Sequence, residues 1–127
     1  MPTSEAAFLR ALLIDLNSLD GVRAWRQSSG VLRTLDGQRM AQVGLPGMAD
    51  ISGLARIGAL GVRLEIECKA EGGKLRDAQV NWKTMVESLG GLYFVEYADD
   101  SLGARGSAKA SCMRIAAVLD ALRPRSI

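Results

Sequence analysis

Apolar residues recur along this chain with two different periods. Between Ser4 and Leu19, the residues Phe8, Leu9, Leu12, Leu13, Leu16 and Leu19 repeat at helical spacing. Ser4 stands where it can cap that helix, and Glu5 in the first turn suits its dipole. Glu5 also shares the stripe of Leu9, Leu12 and Leu16, so its carboxylate points either inward toward a sheet or into solvent. After an Asp20-Gly21 turn, Val22 to Gln27 and Val31 to Leu35 read as short strands around Ser28-Ser29-Gly30, and Asp36-Gly37 opens another turn. Gln38 to Pro46 has a weak pattern and reads as a loop or irregular strand that exposes Arg39. The glycine-bearing turn Gly44 to Ala49 then feeds a strand from Asp50 to Leu54, and Gly58 to Gly61 turns the chain into Val62 to Lys69.

That last strand alternates strictly. Leu64, Ile66 and Cys68 face one way, and Glu65, Glu67 and Lys69 the other. Beyond Gly72-Gly73, a helix from Arg76 to Leu89 sets Leu75, Ala78, Gln79, Trp82, Met85, Val86 and Leu89 on one side. Gln79 is out of place there, because a polar side chain within an apolar face needs a hydrogen-bond partner once buried. Gly90-Gly91 ends the helix and Leu92 to Tyr97 forms a buried strand. Asp99 to Gly106 reads as a polar loop, and Ser107 to Leu122 as a closing helix with Ile115, Val118, Leu119 and Leu122 inward. Helix, several strands, helix, strand, helix is the order of an α/β domain, a mixed sheet flanked by helices.

Size and composition narrow the chemistry. A chain of 127 residues, 48% of them hydrophobic, is expected to form one domain over 1–127 around a single core. There is no histidine, which removes His-based zinc sites, Ser-His-Asp triads and Cys-His dyads. Cys68 and Cys112 lack metal-binding spacing and read as core thiols of a reducing compartment. No apolar run is long enough to cross a bilayer, and Glu5, Arg10 and Asp15 interrupt the N-terminal apolar residues, so a cytoplasmic location without membrane attachment is expected. The net charge of +2 is too small to announce a nucleic-acid binder, but Arg23, Arg26, Arg33 and Arg39 make the region before Asp50 basic. Trp25, between Arg23 and Arg26, is a candidate for base stacking as well as for the core.

The candidate chemistry lies on the hairpin. Its arms bring Asp50 near Glu67 and Lys69, and two carboxylates with a lysine can hold a divalent cation and activate water. Taken alone, Glu65, Glu67 and Lys69 also fit a solvated strand face. The Asp50 turn and the misplaced Gln79 favour the metal site, with Glu65 left as structural.

Gly47-Met48-Ala49-Asp50-Ile51, Glu67-Cys68-Lys69 and Gln79-Val80-Asn81-Trp82, in that order and spacing, resemble the PD-(D/E)XK nuclease superfamily and within it the VRR-NUC branch. Gly72-Gly73-Lys74-Leu75 matches the loop between the last two motifs, and Glu5 the acid of the initial helix, so the likeness spans Glu5 to Val95. Ala49 replaces the proline usual before the metal-binding aspartate; that proline shapes the turn and ligates nothing. The resemblance implies a restriction-endonuclease-like core in α-β-β-β-α-β order. It implies Mg²⁺ or Mn²⁺ held by Asp50, Glu67 and the Cys68 carbonyl, with no small-molecule cofactor. Lys69 would orient or deprotonate the attacking water and stabilise phosphate charge; a free lysine has a pKa of about 10.4, so acting as base requires a lowered value. Gln79 would bond near the nucleophile or phosphate, and Glu5 would assist through water on the metal. Arg23, Arg26, Arg39 and Lys74 are the expected nucleic-acid contacts. The implied activity is structure-selective DNA endonuclease cleavage of branched DNA such as Holliday junctions, by a homodimer in a bacterial or phage-infected cell. A non-catalytic nucleic-acid-binding module with the same fold is the alternative, and an interaction domain with an incidental polar face the third.

Overall fold

Ser4 Oγ accepts the backbone N–H of Ala7 at 3.1 Å, capping a helix α1 (Glu5–Leu16) whose Phe8, Leu9, Leu12 and Leu16 are buried. The computed structural model describes residues 2–28 and 30–125. After α1 come β1 (Val22–Arg26), β2 (Gly30–Arg33), β3 (Met40–Val43), β4 (Ile51–Ile57), β5 (Leu60–Lys69), α2 (Asp77–Ser88), β6 (Leu92–Tyr97) and α3 (Gly103–Leu122).

Four strands form one sheet in the order β1-β4-β5-β6, and β2 and β3 form a separate two-stranded hairpin. β1, β4 and β5 pair antiparallel, while β5 and β6 pair parallel with α2 as the crossover between them. The protein is therefore α/β, with a mixed four-stranded sheet flanked by helices. α1 and α3 pack together on one face of that sheet, where Phe8, Leu12, Leu16, Ile51, Leu64, Ile66, Cys68, Ile115 and Leu119 form the main core. Cys112 is buried in the same cluster, and both cysteines are free thiols. On the other face a smaller cluster of Ala49, Val86 and Tyr93 is joined by half-buried Trp82 and Val95 beneath α2.

The structure corrects several expectations. Of the two readings of Gln38 to Pro46, the strand holds for part of it: β3 lies within the stretch and pairs regularly with β2 from Arg33↔Met40 to Gly30↔Val43. A polar turn closes that hairpin, Asp36 Oδ1 accepting from Thr34 Oγ1 at 2.6 Å and from the Gln38 N–H at 2.9 Å, with Gly37 at φ 72°. The segment after β6 turns helical at Gly103, inside the stretch expected to be a loop. Ala78 and Met85 of α2 and Leu89 at its C-cap are exposed, because α2 covers only a narrow strip of the sheet and buries Gln79 and Val86 alone. Val118 and Leu122 of α3 are likewise exposed, its inward face being Ser107, Ala108, Ser111, Cys112, Ile115 and Leu119. Among the described residues no helix is long and apolar enough to cross a membrane.

Candidate metal site

The turn before β4 sets the first carboxylate. Gly47 has φ 84°, and a Cβ there would collide with the Ala78 carbonyl oxygen, so glycine lets this turn seat directly against the start of α2. Asp50 then lies between two strands. Its carbonyl accepts the Gln27 N–H at 2.8 Å on the β1 side, and its Oδ2 accepts the Cys68 N–H at 2.9 Å on the β5 side. The register Ile51↔Ile66 continues to place Asp50 opposite Glu67.

Glu67 is only 3% exposed. Its Oε1 accepts from Gln79 Nε2 at 2.9 Å and lies 3.6 Å from Lys69 Nζ, while its buried Oε2 has no hydrogen-bond partner. Gln79 in turn receives Lys69 Nζ at 3.1 Å and the Arg76 N–H at 2.8 Å, both on Oε1. Two donors on one end and a carboxylate on the other fix the amide orientation. This accounts for the polar residue on the apolar side of α2: it is the brace between Glu67 and Lys69. Burial, followed by the charge of Asp50 beside it, pushes the Glu67 carboxyl up to about 8 against the weaker opposing pull of Lys69. Burial and the surrounding carboxylates also push the Cys68 thiol up, so it is an inert neutral thiol.

These groups line one cavity of about 470 Å³. Its acids are Glu5, Asp50 and Glu67, and its cations Arg26, Lys69, Lys74 and Arg76. Glu5 takes the open alternative, exposed at the rim rather than turned into the core. Arg76 was not singled out by the sequence; its position three residues before Gln79, at the helix N-cap, was the available signal. Two expected contacts are not in this cavity. Arg23 lines a different cleft on β1 and β4, and Arg39 lies in the turn of the β2–β3 hairpin. A larger recess of about 680 Å³ lies between α1 and α3, lined by apolar Ala11, Ile14 and Met113 and by charged Asp15, Arg105 and Lys109.

Glu65 is a second buried carboxylate, 1% exposed, on the same face. Its Oε1 accepts from Trp82 Nε1 at 2.8 Å, and its Oε2 lies 3.7 Å from Arg63 Nε without a hydrogen bond. Trp82 follows Gln79 by nearly one helical turn, so α2 is tied to β5 through both carboxylates.

Among the described residues no three His, Cys, Asp or Glu side chains gather closely enough to enclose an ion by themselves. Asp50 and Glu67 nevertheless suit a hard cation that keeps much of its water: two carboxylates oppose each other, and one buried oxygen has no partner. Comparison with protein-family models and with curated proteins finds no match to this chain.

Proposed function

We propose that this chain is a metal-dependent, structure-selective DNA endonuclease with a restriction-endonuclease-like core, a VRR-NUC-type member of the PD-(D/E)XK superfamily acting as a homodimer on branched DNA. The observation that carries the reading is the buried, unpartnered Oε2 of Glu67, held beside Asp50 in a cavity that also contains Lys69 and Gln79. Glu65 has an orphaned oxygen too, but the residue opposite it on β4 is Ser52, whereas Glu67 faces a second carboxylate, and two facing carboxylates are what a cation relieves.

Asp50, Glu67 and the Cys68 carbonyl would hold Mg²⁺ or Mn²⁺. The ion, when bound, neutralises phosphate charge and lowers the pKa of water. The chain's own residues do the rest. Asp50 is oriented by the Cys68 N–H, and Glu67 by Gln79. Lys69, held at 3.1 Å by Gln79, presents its ammonium to the cavity, where it stabilises the charge that develops on a phosphate. Arg26, Lys74 and Arg76 supply the positive side of the same cavity for the phosphates flanking the cleaved bond.

Incubation of the purified protein with linear duplex, flap, splayed-arm and four-way-junction DNA in Mg²⁺, Mn²⁺ or EDTA tests this. Metal-dependent cleavage of at least one branched substrate is expected, abolished by Asp50→Asn. No cleavage of any substrate with either metal removes the catalytic reading.

A further inference from the structure

α2 covers only part of the sheet face that carries Glu65 and Glu67. It packs on β6, and through Trp82 on β5; on the β1–β4 half of that face Ser52 is buried, but the side chains around it are exposed. The strand register states what stands there. Arg23 is opposite Leu54, which is opposite Arg63; Trp25 is opposite Ser52; Arg56 follows on β4. The three arginines are exposed, Trp25 is 38% exposed and Leu54 47%. Arg63 is anchored, its Nη2 donating to Ser52 Oγ at 3.2 Å. A shallow cleft of about 590 Å³ runs past Arg23, Leu54 and Arg56, and among the described residues none of its lining is acidic.

We propose that this half-face docks an unpaired nucleic-acid strand, with Trp25 stacking on a base and Arg23 and Arg56 contacting phosphates. Charge complementarity favours a polyanion. The exposed apolar side chains there, Trp25, Leu54 and Leu60, are interspersed with arginines and form no apolar centre for a protein partner, whereas one accessible indole among arginines matches a base and its phosphates. A duplex keeps its base faces stacked internally, so it cannot use Trp25 in this way. β1 runs from this surface to the candidate cavity, which Arg26, Gln27 and Ser28 line. At about 3.3 Å per residue, Arg23 to Ser28 covers roughly 16 Å. The destination of the strand rests on the nuclease reading; the docking surface does not.

Fluorescence anisotropy in EDTA, with a labelled oligo-dT and a duplex of equal length, tests the surface without cleavage. The protein is expected to bind oligo-dT more tightly than duplex. Trp25→Ala is expected to weaken oligo-dT binding about tenfold with little effect on duplex, and Trp25→Phe to keep most of the affinity. Arg23→Ala/Arg56→Ala should reduce the slope of log K against log salt by about 1.4 on a single strand. Circular dichroism on each variant checks folding, and the arginine pair keeps the test open if Trp25→Ala fails to fold. Unchanged oligo-dT binding in folded variants overturns the proposal, as does binding of no nucleic acid or equal competition by polyglutamate. Metal-dependent cleavage with unchanged binding in the variants would remove the docking surface and leave the nuclease standing. Trp25-dependent binding without cleavage under any metal would do the reverse.

Discussion

From Leu64 to Cys68 the two faces of β5 are buried to nearly the same degree and by opposite chemistry. Leu64, Ile66 and Cys68 are fully buried against α1 and α3, while Glu65 and Glu67, at 1% and 3% exposure, are buried beneath α2. On the first face, loss of water is itself the stabilising term. On the second, each carboxylate gives up hydration and receives one good hydrogen bond from α2, leaving one oxygen of each without a partner. The lesson is that alternation along a strand tells which residues share a face and not whether that face is wet. Glu67, with an orphaned oxygen beside Asp50, is also where the proposed cation would add compensation, for which the apolar face has no counterpart.

The sharpest way to break this comparison is to remove charge from the polar face. Lys69→Ala is expected to lower cleavage of a junction or flap substrate by about a hundredfold to a thousandfold, a size typical of losing one charge-stabilising donor, while the melting temperature moves little. A polar face with a structural role alone would give the opposite result, a lowered melting temperature with unaltered cleavage. Next in size is Ile66→Ala on the apolar face, expected to cost about 2–5 kcal/mol in urea unfolding, because it opens a cavity where the side chain has no exposure. A cost below about 1 kcal/mol would show that the core under α1 and α3 collapses to fill the gap. Trp82→Phe comes third. It keeps the aromatic packing and removes the indole N–H that Glu65 Oε1 accepts, so about 1–3 kcal/mol of stability should be lost, and the companion Trp82→Phe/Glu65→Gln should recover part of it.

Strong periodicity made much of this architecture legible in the sequence. α1, β5 and β6 each carry an unbroken pattern, and the fold class follows from their order. The β2–β3 hairpin is legible in its first strand and its Asp36-Gly37 turn, but the pairing of β3 is not, because closure depends on Thr34 and Asp36 hydrogen bonds rather than on apolar spacing. Periodicity overstates the buried faces of α2 and α3, since it says which residues share a stripe but not how much of a helix its neighbours cover. For the site, Asp50, Glu67, Lys69 and Gln79 could be singled out from the hairpin and from one misplaced amide, and the structure places all four around one cavity. Arg76 escaped notice because it is an ordinary exposed cation until α2 is set beside Lys69. Arg23 and Arg39 illustrate the converse: a basic stretch of sequence is divided by β1 and the β2–β3 hairpin between separate parts of the surface.

The smallest expected effect sharpens the comparison most, because it has an unusual sign. In metal-free protein the Glu67 carboxyl is raised from an ordinary 4.5 to about 8, first by desolvation and then by Asp50. Between those values the folded state holds a proton that the unfolded state has released. The contribution to stability is therefore fully present below about pH 4.5 and is lost as pH rises through 8. Thermal melts in EDTA should show the melting temperature falling across that interval more steeply than in Glu67→Gln. That variant keeps an oxygen to accept from Gln79 and places an amide donor on the Asp50 side, so at pH 8 in EDTA it should melt a few degrees higher than the unaltered protein. Mg²⁺ should raise the melting temperature of the unaltered protein and leave that of Glu67→Gln nearly unchanged. Equal pH profiles for the two proteins would mean that Glu67 is neither desolvated nor opposed by Asp50 in solution, and the contrast between the two faces of β5 would then reduce to shape.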